Sequence, residues 1–280
     1  MTAVSYAELD DPSMILGLHG IFDRHPWIDR VNAEYDLDED VFSLAVKRAT
    51  AYGWSSTHLS SGSELGGQRW GHNDAGGDWT QDGRVRQIAW LQLSPAEDLN
   101  EQRLPVLPAA TVLGDALRRV GRFHLTGLHA LVPLRLAPDS GFDLVSAADW
   151  FALADPDGSA ELTVTLSAGD TAGLDGRAGL DGRVQEVCDL ARERTHGRMT
   201  IEAISAPGSR HEGLSLPLAG ELQTIGMREV MAFRCGAREW SLDVATWTIE
   251  IFIDALRATG TVNPVLLTVS GPAGPAGPQA

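Results

Sequence analysis

The chain has 280 residues, 43% hydrophobic and 21% charged, with 38 acidic against 22 basic side chains and a formal net charge of −16. That length accommodates one large or two small domains, with a core that needs neither metal nor disulfide. The acidity argues against nucleic acid or anionic membrane as a non-specific partner, because both need cationic side chains to displace counterions.

Lys47 is the only lysine, so arginine supplies the other fixed positive charges and amine catalysis has one candidate. The surplus of Ala, Gly, Leu and Arg has the look of GC-rich coding sequence, as in an actinomycete. The N-terminus, Met1 to Glu8, has no basic region followed by an apolar one, so no secretory signal is expected. The most apolar run, Ile249 to Leu256, is interrupted by Glu250 and Asp254, so no membrane span is expected. Cys188 and Cys235 are too few for a disulfide framework or a four-thiolate zinc site. These readings point to the cytoplasm. Gly271 to Pro278 repeats Gly-Pro-x and reads as a disordered tail, 271–280.

In chain order, Met14 to Phe22 is an apolar run of strand length. Asp36 to Tyr52 reads as a helix, with acidic residues in its first turn and Val41, Ala45 and Ala49 at helical spacing. Trp54 to Ser60 and Val85 to Leu93 read as strands, Ala109 to Phe123 as a helix and Leu128 to Leu136 as an alternating strand. The order is β-α-β-β-α-β. The second half repeats it: strand Glu161 to Ser167, helix Arg183 to Thr195 and strand Arg198 to Ser205. One or two strands follow in Met227 to Val244 with a turn at Gly236. Helix Thr246 to Thr259 and strand Val265 to Ser270 complete it. Between the halves lies a linker, 138–158, with a short helix near Val145 to Leu153.

The predicted fold class is therefore α+β, with two tandem ferredoxin-like βαββαβ units at 12–137 and 159–270. At the level of fold, this order resembles the dimeric α/β-barrel superfamily. That resemblance implies two units packing their sheets together as an intramolecular pseudo-dimer. An internal pseudo-dimer is compatible with a monomer or a homo-oligomer.

The segment 61–84 is long, glycine-rich and polar, yet it holds Trp70 and Trp79, and it reads as a functional loop. Within it, His72 and Asp74 could form a base-orienting pair, with His58 on the preceding strand. The competing reading is a solvated loop histidine. On Leu128 to Leu136, His129 and Arg135 share one alternate face, where Arg135 could clamp an oxyanion. His19 joins them if the same face of the first strand looks into the space between the sheets. Trp54, Trp70 and Trp90 are candidate substrate-binding rings, and each could equally be core.

No nucleophile elbow, phosphate loop, dinucleotide fingerprint or zinc-protease motif is present. The superfamily's members imply a small-molecule enzyme with no cofactor and no metal: a cyclase, isomerase or cofactor-independent oxygenase of secondary metabolism. It would act on a hydrophobic, polyketide-like carbonyl compound, with His58, His72, Asp74, His129 and Arg135 as catalytic candidates. The alternatives are a non-catalytic binding or assembly protein, and a metal or haem enzyme.

Overall fold

Among the described residues, eight strands, most of them alternating apolar and polar side chains, form a single antiparallel sheet. A computed structural model describes residues 13–37, 39–52, 70–95, 104–137, 142–169, 180–204, 214 and 227–271. The first half contains β1 (Met14–Arg24), α1 (Ile28–Tyr35), α2 (Val41–Ala51), β2 (Trp70–Gly76), β3 (Arg86–Pro95), α3 (Val106–Val120) and β4 (Gly121–Val132). Helix α4 (Phe142–Phe151) leads into β5 (Ala160–Gly169), α5 (Val184–Arg194), β6 (Thr200–Ile204), β7 (Met227–Ala237), α6 (Leu242–Ala258) and β8 (Val265–Ser270).

The strands run in the order β2-β3-β1-β4-β8-β5-β7-β6. Each half thus lays its second, third, first and fourth strands side by side. The halves meet where β4 pairs with β8, for example Leu128 with Val269 and Ala130 with Leu267. This differs from the expected packing of one sheet on another: the two halves share one continuous sheet. The physical reason lies in the edges. Alone, β4 and β8 would each present a row of unpaired backbone groups, and their pairing satisfies both rows.

Period-2 alternation sorts the strand residues onto two faces. Met14, Leu16 and Leu18 of β1, with Leu91 and Leu93 of β3 and Leu128 and Val132 of β4, belong to the main core cluster, as do Val164, Phe233 and Leu267 of the second half. Helices α2, α3, α5 and α6 pack on this face. Truncating such a residue, Leu128→Ala for example, is expected to cost about 2–5 kcal/mol.

Helix α6 is buried from Leu242 to Leu256, apart from Asp243, because α3, α4 and α5 flank it and the sheet lies beneath. Its apolar residues all round follow from that position. Ser241 caps it by accepting a hydrogen bond from the Val244 N–H at 3.2 Å. Gly260, at φ 78°, ends it in the left-handed region that glycine tolerates. The expected strand through Val244 therefore ends earlier, and β7 is one strand with no turn at Gly236.

Two further expectations are corrected. Strand β2 lies within the segment expected to be a loop: Trp70–Gly76 is Gly-, Asn- and Asp-rich and scores poorly as a strand, yet it pairs with β3. The last strand of the first half ends at Val132, because Pro133 lacks an N–H and a 3₁₀ turn, Leu134–Leu136, follows. The expected strand Trp54 to Ser60 lies outside the described residues.

Candidate functional site

The face of the sheet opposite the helices carries a lateral row with one residue from each strand. Cross-strand pairing links Gly76, Trp90, Gly17, His129, Thr268, Thr165, Ala232 and Ile204 in turn. Large and absent side chains alternate at one end of this row. A Cβ on Gly76 would lie 2.8 Å from Trp90 Nε1, and one on Gly17 would lie 2.0 Å from His129 Cε1. Each ring therefore lies over a glycine backbone, where any side chain would exclude it.

His19 stands one pair further along β1, opposite Gly127, and so diagonal to His129. The register slips here against both neighbours, between Leu18 and His19 on the β3 side and between His19 and Gly20 on the β4 side. Such bulges re-aim side chains. His19 Nε2 lies 2.7 Å from His129 Nδ1, with ring centroids 5.0 Å apart and planes inclined at 57°. One imidazole must supply the N–H and the other the lone pair. Both residues are 0% exposed. Burial first, and then the neighbouring His129, hold the His19 pKa well below the ordinary value of 6.5, so His19 is a neutral imidazole at neutral pH.

The pair has contrasting flanks. On one side Ile15, Leu131 and Leu266 form a small apolar cluster against which Trp90 packs. On the other, the Thr165 and Thr268 hydroxyls meet at 2.5 Å across the β5–β8 pairing. Beyond Trp90, the Ser94 hydroxyl accepts from Asn73 Nδ2 at 2.7 Å and lies 2.8 Å from that of Ser13. The arrangement offers a proton-relay pair between an apolar patch and hydroxyl groups.

The other candidates are placed as follows. His72 and Asp74, read as a base-orienting pair within a loop, lie instead on strand β2. The bulge between them pairs His72 with Leu93, a core residue, and Asp74 with Gln92 on the opposite face. They do not form a pair. His72 is buried, and burial lowers its pKa. Trp70 belongs to the core cluster rather than to a ligand platform. Arg135 stands exposed on the 3₁₀ turn beyond β4, not on the strand beside His129. His58 and Trp54 lie outside the described residues.

Gly17, Thr165 and Thr268 were missed as site residues. The available signal was a glycine inside an apolar strand, which marks a close approach. Among the described residues, no group of three or more His, Cys, Asp or Glu side chains converges as a metal site. No described helix is long and apolar enough to cross a membrane.

The chain matches no protein family and no curated protein. A solved structure titled "Cas6 (TTHB231) product complex" aligns with it at 10% identity over 90% of this chain and 95% of that chain, with a TM-score of 0.17. A likeness at that level carries no argument about fold or function.

Proposed function

We propose that the His19–His129 pair is the proton-transfer centre of a small-molecule enzyme acting next to a carbonyl group, built on two ferredoxin-like units. Support for the units is the element order of each half and the strand order within it. The observation that carries the activity is the 2.7 Å contact between two buried imidazoles. His19, neutral at pH 7, accepts a proton from carbon, and its hydrogen bond to His129 fixes the tautomer that does so. The apolar cluster of Ile15, Leu131 and Leu266 suits the hydrophobic body of the substrate, and the Thr165–Thr268 hydroxyls suit its oxygen. Cyclisation, isomerisation and cofactor-independent oxygenation all begin with such a proton abstraction.

The test is exchange of the protons next to the carbonyl in D₂O, followed by NMR, for a panel of cyclic aromatic ketones such as 1-indanone and 2-tetralone. The protein should catalyse exchange of at least one ketone, and His19→Gln and His129→Gln should each lower the rate about 100-fold. Equal exchange by wild type and both variants would overturn the reading.

A second reading is a non-catalytic binding or assembly protein, favoured by the 0% exposure of both rings. In that case the two variants change stability and no ketone exchanges faster than in buffer.

A further inference from the structure

A second feature lies in the helix layer, across the sheet from the histidine pair. Helices α3, α4 and α6 enclose a cleft of about 640 Å³, within the size range of small-molecule sites. Its walls hold Trp150, Phe151 and Trp247, with Leu107 at the α3 end. Two carboxyl side chains also line it, Asp243 and Glu250 of α6. No Lys or Arg does.

The polar groups divide into used and unused. The Thr111 hydroxyl donates to Leu107 O at 2.8 Å, and the Thr246 hydroxyl donates to Leu242 O at 2.9 Å. The indole N–H of Trp247 is different. Trp247 is 3% exposed, its ring stacks on Phe151 with centroids 4.6 Å apart, and its Nε1 has no hydrogen-bond partner among the described residues. A buried indole N–H normally has an acceptor, and leaving it without one costs free energy. Trp150, by contrast, is 63% exposed although it belongs to the same cleft. Concave sites lined by aromatic side chains with a few polar groups are where small molecules bind.

We propose that this cleft binds a small organic cation with an apolar body and a hydrogen-bond acceptor. Each part of that description has its own residue. Indole faces attract ammonium groups, and Trp is the best of the aromatics at doing so. Asp243, exposed in the first turn of α6, adds a negative charge at the wall, and the net charge of −16 draws cations toward the whole molecule. The Trp247 N–H supplies the donor that an ester or ether oxygen accepts. The inference does not depend on the histidine pair.

Benzoylcholine is the probe, because it combines an aromatic body, an ester and a quaternary ammonium group. Its uncharged isostere is 3,3-dimethylbutyl benzoate. Titration calorimetry and saturation-transfer NMR should show benzoylcholine binding, and the isostere binding about tenfold more weakly. Trp150→Ala and Asp243→Asn, both at exposed positions, should each weaken benzoylcholine and leave the circular dichroism unchanged. Trp247→Phe should keep the stack, remove the N–H and weaken binding. If that variant fails to fold, the two exposed variants decide. His129→Gln should leave benzoylcholine binding as it is, which separates this site from the histidine centre. Equal binding of the isostere, no binding of benzoylcholine, or unaltered binding by both exposed variants would overturn the proposal. So would a dimer in sedimentation velocity that Trp150→Ala disperses, since the cleft would then be a self-interface.

Discussion

The imidazole of His129 occupies the space that a side chain at position 17 would fill: a Cβ on Gly17 would fall 2.0 Å from His129 Cε1. The two residues are cross-strand partners on β1 and β4. Gly17→Ala must therefore displace the ring or the backbone, and a cost of about 1–3 kcal/mol in urea unfolding is expected. In His129→Ala the space is open, so adding Gly17→Ala to it should cost much less. A double-mutant cycle with no coupling would show that the ring relaxes freely.

Stability should fall on mild acidification. His19 and His72 both have lowered pKa values, through burial in each case and through His129 for His19. The unfolded chain then binds more protons than the folded one below about pH 6.5, so stability is complete above that pH and declines as pH drops through it. The described carboxylates held below their ordinary values, such as Glu39, Asp78 and Asp115, lose their contribution only at more acidic pH. Urea midpoints measured from pH 7.5 to pH 5 should fall for the wild type, and His19→Gln should flatten that slope. An unchanged slope would place the titration elsewhere.

Asp254 sits on the buried helix α6 and forms an ion pair with Arg194 of α5, whose side chain is 23% exposed. Asp254→Ala leaves the guanidinium partly hydrated rather than stranded, so roughly 2–3 kcal/mol is expected, at or just below the low end for a broken buried pair. Replacing both partners, Asp254→Leu with Arg194→Met, should recover most of that loss. Thermal unfolding of the wild type and the two variants checks the order.

Cys188 and Cys235 are both buried, and burial raises both thiol pKa values, more strongly for Cys235. Neither forms the reactive thiolate near neutral pH. Thiol titration with Ellman's reagent should find neither cysteine in the native protein and both in guanidinium. Reaction of one thiol in the native state would mean that the β6–β7 end of the sheet opens readily.

Much of this architecture is legible in the sequence, and the failures have identifiable causes. The sequence places the last strand at Val265 to Ser270, a run with Val265, Thr268 and Val269 between Pro264 and Gly271, and β8 is found there. Helix α6 declares itself by its length and by Gly260, although its start was misplaced, since Leu242 to Ala245 reads as strand or helix equally well. Trp70–Gly76 could not be read as a strand, because its residues favour turns and only pairing with β3 holds it extended. His72 and Asp74 look like partners by spacing, and the bulge between them is invisible in one dimension.

Local residue pattern by itself determined where most segments extend or coil, β2 excepted, which faces are apolar, and that each half repeats one order of elements. Those properties depend on near neighbours in the chain. The tertiary structure decided how the halves join, edge to edge through β4 and β8, and which histidines meet. His19 and His129 are 110 positions apart, and their 2.7 Å contact exists only because two strands pair in one register over a glycine. Cross-strand register arises from backbone hydrogen bonds between distant segments, and the sequence of neither segment encodes it alone.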